Sequence, residues 1–216
     1  MPADTPGGRG VSADEHMLPG RGLQAGEALA EGSATLLECP GDVPFDHPEF
    51  ALMVGRTGLD AGCVSFFYWS TSRCRTWSGP YALPLLGTTG MAGRTDCVVL
   101  GPRTALLLVT VNKRDGKEGR VCALRTEDGA KSWTLSCYLG AEPPDGSYQI
   151  MPSSVQLANG TILTATRTSG PADLTIGDKK FDRGFWIDLW RSEDEGLRCA
   201  QLHDFSSSFF GLSFEF

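Results

Sequence analysis

The feature that most constrains this chain is an internal repeat that aligns without gaps. Three eight-residue segments match: Ser70 to Trp77 (STSRCRTW), Thr126 to Trp133 (TEDGAKSW) and Ser192 to Cys199 (SEDEGLRC). They begin 56 and 66 residues apart, room for four short strands and a connecting loop. Each copy follows an apolar run and precedes another, so each belongs in a turn between two strands.

The texture between the copies agrees. Short apolar runs are separated by Gly, Pro, Asn and Asp clusters, and helical periodicity is nearly absent. Strands are expected at Phe50–Val54, Cys63–Trp69, Cys97–Leu100, Ala105–Val111, Arg120–Leu124, Thr134–Leu139, Ser154–Leu157, Ile162–Thr166 and Trp186–Trp190. Asn159-Gly160 is a two-residue hairpin signal between two of them. The fold class is therefore all-β.

Composition narrows the function classes. The net charge is −7; residues 1–50 hold two basic and nine acidic side chains, while residues 51–216 hold 17 of each. A neutral body with no Lys/Arg stripe argues against a nucleic-acid partner and against an electrostatic membrane anchor. No apolar run approaches the roughly 18 residues of a spanning helix. The seven cysteines include no CxxC pair, and Cys97, Cys122 and Cys137 fall in apolar strand patterns, where buried thiols act as small hydrophobes. Residues 1–33 read as a disordered acidic, Gly-rich leader without a secretory signal pattern, which favours a cytoplasmic location. Residues 203–216 form a Phe/Ser-rich tail unlike the rest.

The repeats resemble the Asp box, S-x-D-x-G-x-T-W, of the sialidase (neuraminidase) superfamily. The middle copy is the closest match; the first has Ser72 for the Asp and Cys74 for the Gly, and the third has Cys199 for the Trp. The box residues are Ser70 and Trp77, then Asp128, Gly129 and Trp133, then Ser192, Asp194 and Gly196. Met151–Ala165 resembles the family's inner hairpin, and Phe185–Ser192 the strand leading into its box. The resemblance covers residues 45–202 and implies a β-propeller of the sialidase type spanning residues 34–202. About three to four blades of an expected six are visible, so a homodimer or a partner chain would complete the ring.

The resemblance also implies where chemistry would lie. With strands A to D in each blade, the boxes occupy C-to-D turns on one face, and the D-to-A and B-to-C connections emerge on the other. Arg94 and Asp96 at the start of an A strand, Tyr148 before another, Arg56 and Arg167 at the ends of B strands, and Glu118, Asp182 and Arg183 in B-to-C loops all fall on that second face. Sialidases hold a substrate carboxylate with arginines, attack with a Tyr assisted by a Glu, and use an Asp as acid/base. Arginine forks suit a carboxylate, and a neutral phenol avoids repelling an anionic sugar. The catalytic candidates are thus Asp96, Tyr148 and Glu118; the substrate-binding candidates are Arg56, Arg94, Arg167 and Asp188. Arg94 and Asp96 share a strand face and could instead pair with each other. No cofactor is expected, and His16, His47 and His203 are too scattered to hold a metal. The expected activity is hydrolysis of a terminal sialic acid or related anionic sugar from a glycan, the alternative a non-catalytic propeller that binds glycan or protein, or an inactive fragment.

Overall fold

The computed structural model describes residues 35–176 and 178–204, so the expected leader and all but two residues of the tail lie outside the described residues. Among those described, every regular element is a strand: β1 (Ala51–Arg56), β2 (Ser65–Ser70), β3 (Ser78–Leu83), β4 (Met91–Val99), β5 (Ala105–Asn112), β6 (Glu118–Thr126), β7 (Thr134–Tyr138), β8 (Tyr148–Gln156), β9 (Ile162–Ile176), β10 (Lys179–Ser192) and β11 (Ala200–Asp204). They form three antiparallel sheets in chain order, β1-β2-β3, β4-β5-β6-β7 and β8-β9-β10-β11. The repeats join β2 to β3, β6 to β7 and β10 to β11, the same step in each sheet. In the blade convention the first sheet supplies strands B, C and D, and the other two supply all four.

The middle sheet explains how the stack holds together. All eight residues of β5 are buried, because both of its faces are covered. Ala105, Leu107, Val109 and Val111 pack with Met91, Phe67 and Leu83 in the seam toward the first sheet. Leu106 and Leu108 point the other way and pack with Val121, Ile162 and Trp190 in the seam toward the third. Alternation along one apolar strand thus feeds two separate cores.

Three departures from the sequence reading have local causes. β4 begins at Met91 rather than Cys97 because Gly90–Gly93 is drawn into the first seam. A Cβ on Gly93 (φ 40°) would lie 2.8 Å from Ser65 Oγ and 2.9 Å from the Gly55 carbonyl, so only glycine fits that approach. The Asn159-Gly160 hairpin is present but longer than two residues. Leu157 N–H donates to the Thr161 carbonyl at 2.8 Å, with Gly160 left-handed at φ 86°. β9 and β10 run well past their apolar cores, pairing Phe185 with Ser169 and Lys179 with Ile176, which carries Asp182 and Arg183 into a strand instead of a loop. β3 and β11, each an outer strand after a repeat, carry too little apolar alternation to stand out in the sequence.

The segment before β1 straps the repeat face. Leu37 pairs in parallel with Tyr81 on the outer edge of the first sheet. The chain then crosses to the second sheet, where Val43 N–H donates to the Gly129 carbonyl at 3.2 Å and Phe45 N–H to the Pro102 carbonyl at 3.1 Å.

Candidate functional site

The three repeats fold into one and the same turn. A hydroxyl at the first position accepts the N–H four residues on: Ser70 from Cys74 (3.2 Å), Thr126 from Ala130 (3.0 Å) and Ser192 from Gly196 (2.8 Å). The third position repeats the pattern, with Ser72 accepting from Thr76 N–H (2.9 Å), Asp128 from Ser132 (2.9 Å) and Asp194 from Arg198 (2.8 Å). Positions four and five are left-handed in every copy, at φ 53° and 60°, 72° and 67°, and 56° and 82°. Burial works against ionisation of Asp128, yet the hydroxyl and amide of Ser132 hold its carboxyl below the usual range. Asp194 is held low in the same way by the Arg198 amide and the Ser192 hydroxyl. Trp133 is buried and meets Phe67 of the first sheet edge-on at 6.2 Å. The hydroxyls and carboxylates at the first and third positions hold the turns in place and are spent within them, while Trp133 Nε1 is buried without a partner among the described residues.

The opposite face gathers four of the seven candidates. Arg94 on β4 pairs with Glu118, the first residue of β6, at 3.0 Å, both side chains largely buried. Two atoms of that pair, Arg94 Nε and Glu118 Oε2, are buried without hydrogen-bond partners among the described residues. Tyr148, the first residue of β8, stands beside them: a Cβ on Gly119 would lie 3.1 Å from Tyr148 Cβ. Two guanidinium groups face the Tyr148 ring, Arg167 at 5.6 Å and Arg183 at 5.7 Å. Arg183 also donates to Ser169 Oγ at 2.8 Å and to the Gly146 carbonyl at 2.5 Å.

The other three candidates lie apart. Asp96 does not pair with Arg94; its carboxylate accepts from the Cys97 amide at 2.9 Å and, across the second seam, from the Ser154 amide. Arg56 is exposed at the end of β1. Asp188 is buried and accepts from Thr168 Oγ1 (2.6 Å), Trp186 Nε1 (3.1 Å) and Gln201 Nε2 (3.2 Å). It sits in the wall of a pocket of about 300 Å³ at the rim of the seam between the second and third sheets. Trp186 and Trp190 flank it on β10, and Pro143, Pro144 and Ser147 close the far side; the buried Ser147 Oγ has no partner among the described residues. Sequence reading missed this pocket, although the alternation Trp186-x-Asp188-x-Trp190 was the available signal. A wider concavity of about 630 Å³ on the repeat face lies between Arg125, Asp128 and Leu197.

Among the described residues no group of three or more His, Cys, Asp or Glu could hold a metal ion. Among the same residues no helix is long and apolar enough to cross a membrane. His16 falls outside the described residues.

Comparison with known proteins sharpens the fold alone. No known family profile matches the sequence, and no curated protein matches it. Solved structures do match. A protein of unknown function from Dyadobacter fermentans superposes with a TM-score of 0.52 at 15% identity, over 70% of this chain and 45% of its own. The GH93 α-L-arabinofuranosidase of Fusarium graminearum, in complex with arabinobiose, superposes with a TM-score of 0.52 at 19% identity, over 77% of this chain and 48% of its own. Its E242A mutant with an iminosugar inhibitor gives 0.50 at 18% identity, covering 70% and 45%. The chain forms part of a β-propeller. It spans about half the length of the structures it matches, and its three sheets are successive blades of one ring.

Proposed function

We propose that this chain is the sugar-binding portion of a glycoside-hydrolase-type propeller directed at a terminal anionic sugar such as sialic acid. The observation that carries the reading is the constellation opposite the repeat turns: the Arg94–Glu118 pair, with a buried unpartnered atom on each residue, beside a Tyr148 ring faced by Arg167 and Arg183. Unpartnered buried donors and acceptors are costly unless a ligand answers them, and sugar hydroxyls and carboxylates do. In this reading Arg167 and Arg183 receive the sugar carboxylate, Tyr148 is the nucleophile and Glu118 draws off its proton. The structural likeness to an arabinofuranosidase supports a glycosidase-type scaffold and makes a neutral furanosyl unit the competing substrate.

Asp96 favours a second reading. Its carboxylate is occupied by two amides, which suits a fastener between blades better than an acid/base, so a propeller that binds glycan without cleaving it is the alternative. The experiment is a pair of titrations, sialyllactose and arabinobiose, followed by saturation-transfer NMR, with a fluorogenic sialoside assay alongside. Saturable sialyllactose binding that is lost in Tyr148→Phe/Arg167→Ala supports the proposal. Arabinobiose binding alone refutes the anionic-sugar assignment, and binding with no turnover selects the lectin-like reading.

The ring also needs more blades. Val155, Phe185 and Ile187, exposed by 54%, 61% and 40%, stand on the face of the third sheet turned away from the second. Apolar sheet faces of this kind are covered in closed propellers. We assign that cover to a second copy of this chain or to further blades, and light scattering distinguishes a dimer from a monomer.

A further inference from the structure

The third repeat breaks its own pattern at Cys199, where the other two copies have Trp77 and Trp133, and the substitution has a counterpart across the seam. Cys199 Sγ lies 2.7 Å from Cys137 Sγ, well inside the contact distance of two unbonded sulfurs. Cys137 belongs to β7, the outer strand of the second sheet, and Cys199 stands just before β11, the outer strand of the third. Cys137 Sγ also lies 3.5 Å from the Gly196 carbonyl, so its side chain is aimed into the third repeat turn. Both residues are half-buried rather than sealed, unlike Cys122 at 0% exposure.

We propose that Cys137 and Cys199 are a redox-active pair that closes to a disulfide between neighbouring blades on reaction with a low-molecular-weight disulfide such as oxidised glutathione. The Cys199 thiolate attacks one sulfur of the oxidant, forming a mixed disulfide and releasing one glutathione thiolate, which takes up the Cys199 proton. The Cys137 thiol then attacks the Cys199 sulfur and expels the second glutathione as a thiolate, which takes up the Cys137 proton. Two protein thiols are oxidised, one glutathione disulfide is reduced to two thiols, and the balance closes. The order of attack follows from the hydrogen bond. The contact between the two sulfurs raises the Cys137 pKa and lowers that of Cys199, so Cys199 is the readier nucleophile of the two. Cys122 is no competitor, since burial pushes its thiol up to about 12.

The consequence is mechanical. The bridge closes a span of 62 residues containing β8, β9 and β10, with Tyr148, Arg167, Asp188 and the seam pocket. Oxidation therefore ties the third blade to the second at their outer edges, and reduction releases it. Stabilisation comes mainly from restricting the unfolded chain.

The test uses the full chain, reduced and then held in oxidised glutathione. Tryptic peptides 132–167 and 199–216 each carry a single cysteine, so a bridged pair is read directly by mass spectrometry. Expected are loss of two of the seven thiols, the 132–167/199–216 cross-link, and a Tm higher by about 10 °C that dithiothreitol reverses. Cys137→Ser should trap a glutathionyl group on Cys199, while Cys74→Ser should leave bridging intact. The proposal is overturned if the folded chain keeps all seven thiols, if the bridge maps to another pair, or if Cys199 holds a glutathionyl group that Cys137 never displaces.

Discussion

Removing the Asp128 carboxylate tests the claim that the repeat turns are held by their side chains. Asp128 accepts from Ser132 N–H (2.9 Å), from Ser132 Oγ–H (2.6 Å) and from Thr126 Oγ–H (3.0 Å). In Asp128→Ala these three donors lose a charged acceptor, but Ser132 is exposed and water replaces part of the loss. By analogy with helix capping the cost is about 1–2 kcal/mol, a fall in Tm of about 2–8 °C for a chain of this size. Ser72 does the same work in the first turn with a neutral hydroxyl, accepting Thr76 N–H at 2.9 Å, so Ser72→Ala should cost less, about 0.5–1 kcal/mol. The pH dependence separates charge from shape. The carboxyl of Asp128 is held below its ordinary value, so the native state favours the ionised form. Its contribution is present above the unfolded pKa of about 3.9 and is lost as pH falls through the lower folded value. Urea unfolding of wild type, Asp128→Asn and Asp128→Ala at several pH values between about 7 and 3 should show the wild-type advantage over Asp128→Asn shrinking toward the acid end. Equal losses for Asp128→Ala and Ser72→Ala, with no change across that range, would refute the reasoning.

Other perturbations probe the seams and buried charge. Leu107→Ala opens a cavity in the seam between the first and second sheets, where Leu107 has 0% exposure. It should cost about 2–5 kcal/mol, read as a lower urea midpoint at unchanged m-value. Gly196→Val should destabilise at least as much as a typical core change, about 2 kcal/mol or more. It places a β-branched residue at φ 82° with its Cβ against Leu106, and retention of the wild-type Tm would show that this contact yields. Lys113 is 2% exposed and pairs with Asp115 at 2.6 Å. Asp115→Ala should therefore cost about 3 kcal/mol by leaving the buried ammonium with only the Pro144 carbonyl at 3.2 Å and no counter-charge, while Lys113→Met/Asp115→Ala recovers most of it; thermal denaturation of both variants gives the comparison. Asp188→Leu removes the acceptor of Trp186 Nε1. A red-shifted tryptophan emission is expected, and an unchanged spectrum would show that Asp188 does not hold Trp186 in the pocket wall.

Local chemistry made the architecture legible. A run such as Ala105–Val111 cannot be left in water, and Ser/Thr, Asp and Gly at constant offsets can satisfy backbone amides within a few residues of themselves. Strand order and turn position were therefore readable from neighbours in the sequence. Where β9 and β10 end was not, because Thr168 and Ser169 are polar residues buried by their partners on β10 and β8, and no apolar pattern in the sequence marks that burial.

The sequence by itself determined the all-β class, the repeat and its place in the turn between two strands; it expected Arg94 and Arg167 at strand ends, whereas both lie inside longer strands, and only Glu118 and Tyr148 begin theirs. Tertiary structure alone decided which of these meet. Arg94 turned to Glu118 rather than to Asp96 two residues away, because β6 begins beside β4's neighbour while the Ser154 amide on β8 claims the Asp96 carboxylate. It also brought Cys137 against Cys199, 62 residues apart, and raised the walls of the Trp186–Asp188 pocket. Such contacts depend on the packing of whole sheets across a seam, and no local pattern encodes the distance between side chains carried by different blades.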